Sequence, residues 1–398
     1  MMFAKKKLSL AVAIAAGFAG MQAAQADSVF FPYVVGSETV STIISVVNTA
    51  NGLLGLDAAG NNKAGTNNIH YALIYKQSEG GVVDNLDVCQ ETNYDLPTSY
   101  NDIQTSDITG YFADNALAPF TPNDQGVLFN DPSLNNNWVA SGRDFALARP
   151  LMEPGEGFRG YMLVDNAAPT SSGNVSTVSG EALLLEYANG SAWGYQGFTQ
   201  LGENSDTIVA QNSEFDYFYA RTQSPVPVSL PPVDEFNVAF LVTPVNFPTE
   251  IASVYGAVGE NQSQYWNLSA AIKFTSTGRN NTFALFDRDE NPISGAQEQV
   301  VTCVGRVPAS SLVGTASASQ LVDGGWGDLA SRRTNLMLAD GTVQKPGLQP
   351  QYTDVSPKVK GGAVVFKHQV NLGSTFNGVP INGIYNDGSL LMPAAVGQ

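Results

Sequence analysis

Histidine and cysteine are almost missing from this chain, with two of each in 398 residues. Two histidines leave little for a catalytic zinc, which usually takes a His-rich ligand set. A Ser-His-acid triad would have only His70 and His368 to draw on, and there is no Gly-x-Ser-x-Gly elbow to carry its nucleophile. The cysteines form no Cys-x-x-Cys, which points away from redox and metal motifs. Charge is scarce as well, at 14% of residues, and positive charge is scarcest. Beyond the first 26 residues stand 16 Lys and Arg against 36 Asp and Glu, a balance of −20. So acidic a chain is ill suited to displacing counterions from nucleic acid or to holding anionic lipid. Past the N-terminus, no apolar run approaches the roughly 20 residues that a membrane-spanning helix needs.

What is present begins with export. Lys5, Lys6 and Lys7 form a basic start, Leu8 to Met21 an uncharged apolar stretch, and Ala24-Gln25-Ala26 a small-x-small cleavage signal before Asp27. Residues 1–26 therefore read as a cleavable signal peptide. The mature chain is expected in the periplasm, outside the cell or on its surface, with no transmembrane segment left after cleavage. Its polar load is carried by Asn, Gln, Ser, Thr and Gly, while 43% hydrophobic and 10% aromatic residues are enough for a packed core.

Apolar residues recur with period two or in short β-branched runs between turn residues. Val29-Phe30-Phe31-Pro32-Tyr33-Val34-Val35, Ser41-Thr42-Ile43-Ile44-Ser45-Val46-Val47 and Ile69-His70-Tyr71-Ala72-Leu73-Ile74-Tyr75 are the first three such runs. Further strands are expected at 236–242, 267–274, 282–286, 299–304 and 364–372. A hairpin is expected from 181–188 and 191–198, turning on Asn189-Gly190, because both central residues of a two-residue turn need positive φ. The best helical stretch is short, at 309–321. The fold class is all-β, with one or two β-sandwich-like units after the signal peptide. Pro225, Pro227, Pro231 and Pro232 stiffen residues 224–233 into a linker or crossover. The first unit would be 27–223 and the second 234–398. A rival arrangement is one large sandwich.

Cys89 and Cys303 could pair in an oxidising compartment. The closed loop would exceed two hundred residues, worth at most roughly 5 kcal/mol by chain entropy. Such a bridge would cross the boundary and draw the halves together.

Four patterns bear on the question of chemistry. Residues 287–298 place Asp287, Asp289, Asn291 and Glu298 at the first, third, fifth and twelfth positions of a calcium-loop template. Pro292 stands where that template needs glycine, and the flanks read as strands, so calcium could bind here only outside an EF-hand. Trp193 and Tyr195 share one strand face by alternation. They could stack a sugar ring or pack in the core, as could a second aromatic group at Phe215, Tyr217, Phe218 and Tyr219. Glu181 and Glu186 lie five apart on one strand, so they face opposite ways and cannot act as a glycosidase pair. His368 falls in phase with Val364, Phe366 and Val370, an inward position.

Several segments resemble those of uncharacterised exported β-rich proteins of Gram-negative bacteria. They are Phe30-Phe31-Pro32-Tyr33-Val34-Val35 with Thr42-Ile43-Ile44-Ser45-Val46-Val47-Asn48, then residues 180–198, residues 286–295, and Thr375-Phe376-Asn377-Gly378-Val379. The resemblance implies export and carries no function. The leading expectation is an exported non-enzymatic protein serving structure, adhesion or assembly at the cell surface or in the periplasm. Its expected partners are its own copies or surface glycans. The alternatives are a carbohydrate- or calcium-binding β-sandwich module and an extracellular hydrolase.

Overall fold

The computed structural model describes residues 28–37, 39–48, 68–77, 84–87, 89–97, 102–109, 127–129, 156–166, 178–186, 191–199, 218–220, 225–245, 269–276, 283–333, 336–337, 343–344, 362–371, 374–376, 379–381 and 386–396. The expected signal peptide and the turn residues Asn189 and Gly190 lie outside these.

The β-branched and aromatic runs form strands, as their fit to a half-buried pleated surface predicts. Before residue 200 these are β1 (Ser28–Ser37), β2 (Val40–Asn48), β3 (Asn68–Gln77), β4 (Gln90–Pro97), β5 (Asp102–Asp107), β6 (Val127–Phe129), β7 (Gly157–Asn166), β8 (Val178–Glu186), β9 (Ser191–Gln196) and β10 (Phe198–Thr199). They make two antiparallel sheets: sheet I in the order β6-β5-β2-β8-β9, and sheet II in the order β10-β1-β7-β3-β4. The chain changes sheets at Gly197, whose N–H donates to Gly180 O at 2.9 Å. A Cβ at Gly197 would lie 2.4 Å from Val29 Cγ1, so the close approach at this corner requires glycine. The expected hairpin is present as β8 and β9, but its register pairs Glu186 with Ser191. A two-residue turn would pair Ala188 with Ser191; the observed connection is four residues long. The shift is even, so every side chain keeps its face.

After residue 217 come β11 (Phe218–Ala220), β12 (Val226–Leu230), β13 (Phe236–Pro244), β14 (Ser269–Phe274), β15 (Leu285–Asp287), β16 (Pro292–Ile293), β17 (Gln299–Thr302) and β18 (Gly305–Pro308). Then follow β19 (Gly325–Arg333), β20 (Leu336–Met337), β21 (Val343–Gln344), β22 (Ala363–Asn371), β23 (Ser374–Phe376), β24 (Val379–Ile381), β25 (Asn386–Met392) and β26 (Ala394–Val396). Sheet III has the order β18-β13-β22-β25. Sheet IV runs β16-β15-β19-β14-β17, with β12 on the other edge of β19. The Pro-rich stretch read as linker or crossover thus contains a strand of sheet IV. The helical stretch at 309–321 is broken into α1 (Ala309–Val313), α2 (Thr315–Ala318) and a 3-10 turn (Ser319–Leu321), because Gly314 between them takes φ 81.

Three apolar interlayers order the sheets. Phe31, Ile44, Val46, Tyr71, Leu73, Met162 and their neighbours fill the space between sheets I and II. Phe30, Tyr33, Ala72, Ile74, Tyr161 and Leu163 of sheet II meet Leu241, Val364 and Phe366 of sheet III. Phe240, Val242 and Val365 of sheet III meet Ile272, Phe274, Leu285 and Leu329 of sheet IV. Sheets II and III are therefore buried on both faces, which is why β1, β3, β13 and β22 read as near-continuous apolar runs. The outer sheets alternate instead, as in the burial of β8, where Ala182 and Leu184 are inside and Glu181 and Leu183 outside.

In β1 the register shifts between Phe31 and Val34. Val29 and Phe31 face sheet I before the shift and Val34 after it, so an odd-numbered face becomes an even-numbered one. Pro32 sits inside this bulge, where its missing N–H breaks no ladder bond.

Candidate functional site

The densest polar construction lies where sheet II meets the second half of the chain. Residues 84–87 and Cys89 dock on the turn from β17 to β18. Thr302 N–H donates to Asn85 O at 2.8 Å. The Asn85 side chain donates through Nδ2 to Arg306 O and accepts from Arg306 N–H, each at 3.0 Å. Cys89 and Cys303 are joined by a disulfide across 214 residues, with Cα atoms 6.1 Å apart. Val304 N–H donates back to Thr302 O at 2.7 Å, and Cys303 between them takes φ 62. That is the strained form of γ-turn, held here by the bridge and the docked segment.

Lys76 on β3 reaches into this junction and is only 2% exposed. Its Nζ donates to Thr302 O at 3.0 Å and to Asp87 O at 3.3 Å. Burial pushes its pKa down to about 7, and the positive charge of Arg159, opposite it in register, pushes the same way. Lys76, Asn85 and the disulfide form a clasp.

A second junction gathers residues that the sequence singles out. Trp193 is buried, with its ring 5.5 Å from that of His368 and 6.2 Å from Phe366. Gly388 lies beneath it, and a Cβ there would come within 2.1 Å of the indole. Trp193 Nε1 donates to Glu186 Oε1 at 3.1 Å, and His368 Nε2 lies 3.0 Å from the same oxygen. Tyr195 packs on Phe366 at 4.9 Å. Its hydroxyl accepts from Tyr33 N–H at 3.1 Å and donates to Tyr33 O. Burial holds this phenol protonated far above its ordinary range. Trp193 and Tyr195, as nominated for ligand stacking, are thus a packing row between β9 and β22, and His368 faces inward as its phase predicts. The side chain of His70, and those of the second aromatic group, lie outside the described residues.

Side chains also complete the buried edge of β1. Its partner β10 covers only Val29 and Phe30. Beyond them Thr243 Oγ1 donates to Pro32 O, Tyr195 satisfies both backbone groups of Tyr33, and Thr42 does the same for Val35 at 3.1 and 2.7 Å. A buried strand edge needs such partners wherever no strand supplies them.

The residues proposed for calcium are divided between two jobs. Between β15 and β16, Arg288, Asp289 and Glu290 form a three-residue loop closed by Asp287 and Asn291. Glu290 N–H donates to Asp287 O at 3.1 Å, Asp287 N–H to Asn291 O at 3.0 Å, and Glu290 takes φ 65. The Asp287 carboxylate accepts from Asn291 N–H at 2.8 Å and from Nδ2 at 2.9 and 3.2 Å. These bonds, those of the Asn291 side chain foremost, hold its pKa below the ordinary carboxylate range. Glu298 instead takes a two-pronged ion pair from Arg332, at 2.6 and 3.1 Å. Among the described residues, no three His, Cys, Asp or Glu side chains converge as a metal would require.

One exposed aromatic escaped the sequence reading. Trp326 stands on β19 between Gly325 and Gly327, and 39% of it is open to solvent. Flanking glycines gave that position no periodic pattern to stand out from.

Comparison with protein-family models, with curated proteins and with solved structures finds no match.

Proposed function

We propose that this chain is an exported, non-enzymatic protein serving structure, adhesion or assembly in the periplasm or at the cell surface. The observation that carries the reading is the clasp. A disulfide, a buried lysine and a docked asparagine tie together segments more than two hundred residues apart. A body tied in this way suits an oxidising compartment, where a disulfide persists. Among the described residues, several ionisable and aromatic side chains hold the framework: Glu186 with Trp193 and His368, Tyr195 with β1, Lys76 with the clasp. Among the described residues, sheet II ends in β4 and sheet III in β25, edges of the kind by which β-sandwich proteins join their own copies.

The test is fractionation of the producing cell, with N-terminal sequencing and thiol alkylation of the recovered protein. The expected result is a chain beginning at Asp27, found outside the cytoplasm, with both cysteines blocked to alkylation until reduced. A full-length cytoplasmic chain with two free thiols would overturn the proposal. Light scattering behind size-exclusion chromatography then reads self-assembly, for which higher oligomers are expected.

A further inference from the structure

Sheet IV closes on an edge strand. β19 pairs with β15 along one edge and with β12 along the other, and among the described residues β12 pairs only with β19. Register sets four residues in a row across these strands: Pro292 on β16, Phe286 on β15, Trp326 on β19 and Ser229 on β12. Leu285, Ile293, Val228, Leu230 and Leu329 point into the core, so the residues alternating with them face away from it. Phe286 is covered on both sides and only 8% exposed, whereas Trp326 is 39% exposed. The two rings stack at 4.7 Å with planes 19° apart, which occupies one face of the indole. Its other face looks over Ser229, a side chain too short to cover it. Lys367 of β22, itself only 7% exposed, fixes this strand from within: its Nζ donates to Ser229 O at 3.2 Å and to Ser229 Oγ at 3.3 Å.

We propose that this notch binds the pyranose ring of a glycan, stacked on the free face of Trp326 with a hydroxyl toward Ser229. The indole face is electron-rich, and the C–H face of a pyranose offers the positive edge that such a face attracts. Phe286 holds the indole upright before any ligand arrives, so little ordering entropy is lost on binding. The mature chain's charge of −20 repels polyanions at long range, so a neutral hexose polymer is favoured over a uronate polymer. The inference goes beyond the structural role and rests on Trp326 and its neighbours alone. It would survive a change in the assigned cell compartment.

The test is affinity electrophoresis of the full mature chain through gels holding a neutral β-glucan, a chitin-type polymer or polygalacturonate, followed by calorimetric titration of matching oligosaccharides. Retardation by at least one neutral polymer is expected, stronger than by the uronate. Trp326→Ala weakens the binding roughly tenfold or more, the loss of one aromatic stacking contact. Ser229→Trp fills the notch and does the same while the indole stays in place. Trp326→Tyr restores part of the affinity. An unaltered melting temperature shows that these surface changes leave the fold intact. The proposal is overturned if the wild-type chain is retarded by none of the polymers. It is equally overturned if both Trp326→Ala and Ser229→Trp bind as the wild type does.

Discussion

Lys76 shows most directly how the fold sets the chemistry of a single side chain. It is nearly fully buried, and its pKa falls to about 7 because burial disfavours the ammonium and Arg159 adds repulsion. In the unfolded chain it titrates near 10.5. Between these values the unfolded state binds more protons than the folded one, so this residue makes stability rise with pH across that window. Below about pH 7 both states carry the proton and the full penalty of burying it remains. Chemical denaturation of the wild type and of Lys76→Met, from pH 6 to pH 10, checks this: the wild type should gain stability relative to the variant as pH rises. Parallel curves would show that Lys76 titrates normally. The alternation around β3 put Lys76 on one face with Ala72 and Ile74, and that was legible. That the face is covered by Thr302 and Asp87 was not, because Thr302 lies 226 residues away in the chain.

At the scale of elements, β1 is the strand whose local rules are broken and repaired. Pro32 and the register shift interrupt its ladder, and hydroxyls from β2, β9 and β13 complete it. Tyr195→Phe leaves the N–H and C=O of Tyr33 buried without their partner and should cost roughly 1–3 kcal/mol, the desolvation penalty of unpaired groups. Urea denaturation measures it, and a change below about 0.5 kcal/mol would mean that water or another group serves Tyr33. The β-branched runs of β1, β2, β3, β13 and β22 were all visible as strands, and so was the hairpin of β8 and β9. The hairpin's four-residue connection was not, since Asn-Gly suits a two-residue turn and only the tertiary register moves the pairing to Glu186 and Ser191. The acidic spacing at 287–298 resembled a calcium loop for a local reason. A tight hairpin turn and a metal loop both call for short polar side chains that bond to nearby backbone. In this one Asp287 bonds Asn291 and Glu298 bonds Arg332.

At the scale of the molecule, the described residues form four β layers around three apolar interlayers, and the middle one joins residues from both halves of the chain. The all-β class followed from period-two patterning. The stacking order did not, because a face buried under another sheet of the same sandwich looks identical in sequence to one buried under a different sandwich. With Phe30, Trp193 and Phe366 shared across the junction and the Cys89–Cys303 bridge beside it, separating the halves would expose a core's worth of apolar surface. The halves are therefore expected to unfold together. Differential scanning calorimetry of the oxidised mature chain, repeated with reductant, is the most direct measurement. The account predicts one transition whose calorimetric and van't Hoff enthalpies agree, shifted down in temperature when the disulfide is reduced. Two separate transitions in the oxidised protein, or a melting temperature indifferent to reduction, would contradict it.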